Sequence, residues 1–286
     1  MIRAKRPHLG VATCTHPGLS GKINEDRLAV VPFEGASGQP VLFVVVADGI
    51  GGHRAGEVAA ELTVLRIVQE VSESRESEPL RIMEAAIHAA SQTIAERSAG
   101  NPDQAGMGST CACIWVEGDR LYTAHVGDSR IYLVRDRKIH RTTTDHTWIQ
   151  EALERGFITP EQAHDHPNAH VLRRHLGSVQ LPQVDTALHL DELENNVRDR
   201  LDPGMQLLPG DILLACTDGL TDMVWDDEIL RLITTRNSLK SAAEDLVGRA
   251  NERGGHDNTT VVLIGVPRPV GAENAMKGFL RRVLRV

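Results

Sequence analysis

Aromatic residues make up only 3% of this 286-residue chain, so whatever core it builds must be aliphatic. Cysteine is equally sparse. Cys14, Cys111, Cys113 and Cys216 all sit in apolar, strand-like runs, and none forms a CxxC pair. Reduced, buried thiols in a cytosolic protein are the expectation. No set of His and Cys has zinc-ligand spacing, which argues against a structural zinc site. Positive charge falls short of negative: Lys and Arg number 31 against 39 Asp and Glu, for a formal net charge of −8. An acidic surface disfavours nucleic acid as a partner. No apolar run approaches the length of a membrane span. The first residues, MIRAKRPHLG, are basic with no apolar stretch behind them, so a signal peptide is not expected. What remains is a chain 41% apolar and 24% charged, enough for one large domain or two small ones.

The stretch 41–56, VLFVVVADGIGGHRAG, organises the rest. Residues 41–47 form an unbroken, β-branched apolar run, the pattern of a strand buried on both faces. The run ends on Asp48, a carboxylate that is costly to desolvate unless a cation or donor meets it. Gly49, Gly51 and Gly52 follow and let a ligand approach the backbone. A helix is predicted over 53–71, with Val58, Leu62, Leu65 and Val68 on one stripe. On this stretch alone, a site and a turn whose Asp merely caps the helix are equally good readings. The same grammar recurs at 211–219, DILLACTDG, and at Asp257-Asn258 before the apolar run 259–266. Three aspartates at three strand mouths, with a free carbonyl at Gly49, suit Mg²⁺ or Mn²⁺.

Further elements predicted along the chain are an amphipathic helix carrying Leu80, Met83, Ile87, Ala90 and Ile94, an antiparallel meander over 110–141, and a strand over 184–190. Helices are also predicted over 226–235 and 239–253. Residues 142–177 are rich in His and charge and read as a solvated surface flap. Together the pattern predicts an α+β fold in which two antiparallel sheets pack face to face with helix pairs outside. Residues 1–8 form an extension and 267–286 a tail. In that tail Met276, Phe279, Leu280, Val283 and Leu284 make an apolar stripe beside Lys277, Arg281, Arg282 and Arg285. Such a helix either docks on its own domain or makes weak contact with anionic lipid or a partner through 272–286.

Eight short motifs occur in one order: Asn24-Glu25-Asp26, Asp48-Gly49-Ile50-Gly51-Gly52-His53, Gly108-Ser109-Thr110, Gly127-Asp128-Ser129-Arg130, Asp145-His146, Leu172-Arg173-Arg174 with Leu176-Gly177, Gly210-Asp211 with Thr217-Asp218-Gly219-Leu220, and Asp257-Asn258-Thr259-Thr260. Any one alone is an ordinary turn; the ordered set is specific. Across 9–266 it resembles the bacterial metal-dependent Ser/Thr protein phosphatases of type 2C. The resemblance implies an αββα sandwich with a binuclear Mn²⁺ or Mg²⁺ centre at one end. Asp48 would bridge the metals, Gly49 would offer its carbonyl, and Asp218 and Asp257 would bind one metal. Glu25 would serve the other, with Asp26 and Asn258 supporting the ligands from behind. Asp128 would hold a looser third metal together with Asp218. A metal-clamped water would attack phosphorus with no covalent enzyme intermediate.

Two positions depart from the family's pattern. Gly21 stands where bacterial members usually carry a phosphate-gripping Arg, with Lys22 beside it as a substitute charge. Ile50 stands where some members place a general-acid His. His53 is then either that acid or a surface residue at a helix start. The resemblance implies, as partner, a Ser/Thr-phosphorylated protein, a kinase or its substrates, acted on by a cytoplasmic monomer. A phosphatase-like binding module that has lost catalysis, and a hydrolase of small phosphomonoesters, are the other readings.

Overall fold

The computed structural model describes residues 1–35, 38–52, 55–163, 166–188 and 204–268. His53 and the 272–286 tail, for which roles are expected above, lie outside the described residues. In chain order the strands are β1 (Ile2–Arg3), β2 (Gly10–His16), β3 (Asp26–Glu34), β4 (Pro40–Ile50), β5 (Gly108–Ser109), β6 (Cys111–Glu117), β7 (Arg120–Val126), β8 (Arg130–Arg135), β9 (Lys138–Arg141), β10 (Met205–Gln206), β11 (Ile212–Cys216) and β12 (Thr259–Gly265). The helices are α1 (Ala55–Glu73), α2 (Pro79–Gly100), α3 (Trp148–Glu154), α4 (Pro160–Ala163), α5 (Asp218–Thr221), α6 (Asp226–Thr235) and α7 (Leu239–Glu252).

Two antiparallel sheets form. One runs β1-β3-β4-β6-β7-β10 with β5 paired to the end of β4; the other runs β2-β12-β11-β8-β9. The side-chain alternation of β4 explains its unbroken apolar run. Phe43 and Val45 pack outward with Val64 and Ile67 of α1 and Ile87 and Ile94 of α2. Leu42, Val44 and Val46 pack inward with Leu213, Ala215, Val262 and Ile264 of the second sheet. That sheet turns Leu214, Val261 and Leu263 outward onto Leu232 of α6 and Leu246 and Ala250 of α7. A strand covered on both faces has no reason to alternate with polar residues, whatever its direction. The expected α+β sandwich, αββα, is what forms.

Several local expectations change. Leu65 is 60% exposed, because the buried face of α1 is the row Ala60, Val64, Ile67 and Val71, and the row through Val58 and Leu62 only borders it. The strand expected over 184–190 reduces, within its described part, to one bridge between Asp185 and His125. Asp136 and Arg137 turn the chain between β8 and β9: both take positive φ (51° and 62°), the two left-handed positions of a tight hairpin. Asp211, part of a sequence motif, turns out to be structural. It is 3% exposed, accepts a fork from Arg135 (Nε 3.0 Å, Nη2 2.6 Å) and takes the Leu208 N–H at 2.7 Å.

Candidate metal centre

The acidic residues converge at one pole of the sandwich. Antiparallel pairing of β3 with β4 sets Asp26 opposite Asp48. Asp218 opens α5 directly after β11, so it begins a helix where a turn was expected. Asp257 precedes β12, and Asp128 lies in the turn between β7 and β8. Nor does β4 end at Asp48: Gly49 and Ile50 go on to pair with β5.

The motifs around these carboxylates hold them in place. The Asp48 N–H donates to Thr110 Oγ1 at 3.0 Å, while its carbonyl accepts from Thr110 N (2.9 Å) and Ser109 Oγ (3.0 Å). Thr110 Oγ1 in turn lies 2.7 Å from Ser129 Oγ, which ties the loop of Asp128 to that of Asp48. Asn258 Oδ1 accepts the Glu25 N–H at 2.7 Å, and its amide donates to the carbonyls of Pro17 and Ile23. Thr217 Oγ1 donates to Asp26 Oδ2 at 2.8 Å. Asn258 and Asp26 thus stand behind the cleft and fix the loops that carry Glu25 and Asp218.

Electrostatics at this pole favour protons or cations. Burial pushes the Asp26 carboxyl up to about 7; hydrogen bonds from Thr260 and Thr217 oppose that, and the charges of Asp218 and Asp257 add to it. Burial, then the charges of Asp218 and Asp26, hold Asp48 well above the usual carboxylate range. Asp128 is raised by burial and next by Asp218. Burial is also the largest cause for Asp218 and Glu25, with the Asp257 charge contributing to both. Glu25 Oε1, Asp26 Oδ1 and Asp218 Oδ1 are enclosed oxygens with no hydrogen-bond partner among the described residues. Leaving such atoms bare is expensive.

The backbone supplies a matching cradle. A Cβ on Gly56 would lie 2.6 Å from both Glu25 Oε1 and the Gly49 carbonyl oxygen. A Cβ on Gly49 would lie 1.9 Å from the Gly56 carbonyl oxygen. Two oxygen donors therefore share one glycine, and no other residue leaves them room. With Asp48, Asp218, Asp257 and Asp128, this is an all-oxygen donor set, which fits Mg²⁺ or Mn²⁺. Gly56→Ala is accordingly expected to weaken Mn²⁺ binding at least about tenfold, the lower end of what disturbing a ligand's support costs. Calorimetric titration of the variant checks this, and wild-type affinity would contradict the cradle.

Lys22 is exposed at the rim, and its charge pulls on Glu25. Gly21 takes φ +76°, so an Arg placed there would meet backbone strain as well as gain a charge. Sequence reasoning missed two residues of the cleft. Asp222 stands one turn after Asp218, raised to about 7 by burial and by the Asp218 charge. The repeat Thr217-Asp218 and Thr221-Asp222 carried that signal at helical spacing. His170, from the flap, lines the same cleft of about 700 Å³ with Asp128, Asp218, Asp222, Trp225 and Asp257.

The flap is anchored where it begins. Asp145 receives a fork from Arg130 (Nε 3.0 Å, Nη2 2.7 Å). The expectation of a wholly solvated flap fails at His146, which is 7% exposed and stacks on His125 at 4.7 Å with planes 13° apart. These two rings and Asp185 have donor atoms within 4.8 Å of one another. They do not suit a metal. Parallel stacked rings cannot aim their in-plane lone pairs at one ion. The Gly127 N–H donates to His146 Nδ1 at 3.1 Å, so that nitrogen's lone pair is already engaged.

Residues 19–260 match the family described as protein phosphatase 2C. The serine/threonine phosphatase stp of Listeria monocytogenes is 33% identical over 245 residues, covering 84% of this chain and 89% of that protein. The serine/threonine protein phosphatase PstP of Mycobacterium tuberculosis is 35% identical over 223 residues, covering 78% of this chain. That match takes in only 40% of PstP's own length. The solved catalytic domain of PstP in complex with two manganese ions superposes with a TM-score of 0.73 at 31% identity, covering 91% of this chain and 98% of that one. The donor set at the pole of the sandwich and these likenesses agree: this chain belongs to the protein phosphatase 2C family.

Proposed function

We propose that this chain hydrolyses phosphoserine and phosphothreonine esters on proteins, dependent on two Mn²⁺ or Mg²⁺ ions. The observation that carries the reading is the set of enclosed oxygens without hydrogen-bond partners among the described residues, Glu25 Oε1 and Asp218 Oδ1 included, gathered at one pole beside the Gly49 carbonyl. In this reading Asp218 and Asp257 would hold one ion, Glu25 and the Gly49 carbonyl would serve the other, and Asp48 would be shared between them. Asp26 and Asn258 keep the loops in register. Two bound cations supply a water of lowered pKa, held in line with phosphorus, and offset charge on the phosphoryl oxygens. Lys22 draws the phosphate to the rim as an exposed point charge, and His53 is the candidate proton donor to the leaving oxygen.

The family's domain spans 9–266, and β1 (Ile2–Arg3) of the 1–8 extension adds an edge strand to it. Its substrate is a Ser/Thr-phosphorylated protein, a kinase or a kinase's target, and it works as a cytoplasmic monomer. Four free cysteines support that compartment. No helix among the described residues is long and apolar enough to cross a membrane. The basic stripe of 272–286 supports weak contact with a membrane or partner.

The test compares a phosphothreonine peptide with p-nitrophenyl phosphate under Mn²⁺. Preference for the peptide in kcat/KM is expected. Lys22→Ala should raise the peptide KM roughly fivefold, the value of about 1 kcal/mol for an exposed charge contact. Turnover of the small ester alone would point to a small-molecule hydrolase. Peptide binding without turnover would point to a non-catalytic module, the reading that Gly21 keeps open.

A further inference from the structure

Glu25 comes one residue before β3 begins, so no strand ladder holds its backbone. Side chains hold it instead. The Glu25 N–H goes to Asn258 Oδ1 at 2.7 Å. The carbonyls that flank it in sequence, Asn24 O and Asp26 O, both turn to one nitrogen: Arg27 Nη1 donates to them at 2.9 and 2.8 Å. Successive side chains of a strand leave opposite faces. Asp26 goes inward and accepts from Thr217 Oγ1, so Arg27 goes outward, to the side that α1 covers. There its Nη2 donates to Glu57 Oε1 at 2.7 Å, in the first turn of α1.

That turn is the other wall of the same donor group. Gly56, next to Glu57, leaves the gap shared by Glu25 Oε1 and the Gly49 carbonyl. The Glu57 N–H faces the Glu25 carboxylate and favours its charged form. One guanidinium therefore ties the loop that carries Glu25 to the helix turn against which Glu25 rests. The side chains of Arg27 and Glu57 are 30% and 31% exposed, where an ion pair adds little to stability. What sets this pair apart is its geometry. A planar fork that meets two carbonyls and a carboxylate together fixes how they lie relative to one another.

We propose that Arg27 is a positioning residue for the metal centre: its guanidinium sets Glu25 against the start of α1, and so sets the affinity for the ion that Glu25 and the Gly49 carbonyl serve. The inference rests on reading the chain as a metal-dependent phosphatase. It adds a residue engaged with two carbonyls and Glu57 rather than with an ion or a substrate. Without the fork, Asn24 O and Asp26 O turn to water, and Glu57 is left as an uncompensated charge near Glu25. A lysine at this position would keep the charge but has no planar fork, so it replaces the contacts only in part.

Two measurements on the full chain test this: Mn²⁺ titration by calorimetry, and hydrogen exchange of the metal-free protein over 22–27. Arg27→Met should weaken one of the two ions at least about tenfold and spare the other. The Glu25 and Asp26 amides should exchange faster in the metal-free variant, with protection elsewhere unchanged. Arg27→Lys should recover part of both effects. Glu57→Ala should weaken the same ion. The double variant Arg27→Met/Glu57→Ala should bind no more weakly than Arg27→Met alone, because the two side chains act as a unit. On a phosphothreonine peptide, excess Mn²⁺ should return kcat toward the wild-type value with KM unmoved. Wild-type affinity for both ions in Arg27→Met, additive losses in the double variant, or protection lost throughout the chain would overturn the assignment and leave the phosphatase reading intact. So would a raised peptide KM with Mn²⁺ binding unaltered, which would put Arg27 on the substrate. A wild type that binds two Mn²⁺ ions yet releases no phosphate would overturn the phosphatase reading alone, since the titration would still judge Arg27.

Discussion

Asp218→Asn is expected to lower kcat on a phosphothreonine peptide by roughly a hundred- to a thousandfold, the scale seen when one preorganised electrostatic contact to the reacting group is removed. Asp218 lies between the groups that matter. Its charge raises Asp26, Asp48 and Asp128 together, so its carboxylate is the shared neighbour of the whole cluster. The fold should not suffer. Without metal, Asp218 repels its neighbours, and its Oδ1 has no hydrogen bond to lose among the described residues. The melting temperature of the metal-free variant should therefore equal or exceed that of the wild type. Asp48→Asn should behave alike. Turnover within tenfold of wild type in either variant would remove these residues from the chemistry, and a collapsed melting temperature would make them structural.

The metal-free protein should lose stability as pH rises from about 4 to about 7, and Mn²⁺ should restore it. The folded value of Asp26 is about 7 against 3.8 in its ordinary state, and Asp222 moves the same way. A carboxyl raised on folding makes the folded state bind more protons than the unfolded one within that window. Stability is then present below 3.8 and falls as pH climbs toward 7. One proton held only by the folded state corresponds to a slope of about 1.4 kcal/mol per pH unit. Asp48, Asp128 and Asp218 add to the same sign. Mn²⁺ replaces protons and reverses the loss at neutral pH. At a hundredfold excess over its dissociation constant, each ion contributes about 2.7 kcal/mol, which is about 5–10 °C of melting temperature for a domain of this size. Thermal melts at pH 5 and pH 7.5, with and without Mn²⁺, check this: the gain should be large at 7.5 and small at 5. A metal-free protein that grows more stable across this range would show that the cluster is not packed as described.

What the sequence made legible was local. Apolar runs with an aspartate at their mouth mark strands, so the candidate ligands Asp48, Asp218 and Asp257 could be picked out without a structure, although β4 runs on past Asp48 to Ile50. The meander over 110–141 was readable too, since a tight turn depends on its own residues. The misses share a cause. Asp222 hid because an Asp-Gly after a strand reads as a turn; only the helical turn that opens at Asp218 brings the next aspartate to the same face. Leu65 fits the helical period, yet the sheet selects the neighbouring row of α1. His146 is polar and lies in a charged segment, but His125 and Gly127, about twenty residues earlier, cover it. The place of Asp211 depends on Arg135, which forks it from the neighbouring strand. Each of these is decided by a distant partner, which periodicity does not encode.

The most direct measurement is phosphate release from a phosphothreonine peptide by protein stripped of metal and then titrated with Mn²⁺. No release is expected from the stripped protein, and full activity should return as Mn²⁺ fills two sites, in step with the rise in melting temperature at pH 7.5. Undiminished release from thoroughly stripped protein, or none at saturating Mn²⁺, would contradict a metal-dependent phosphatase built on Asp48, Asp218 and Asp257.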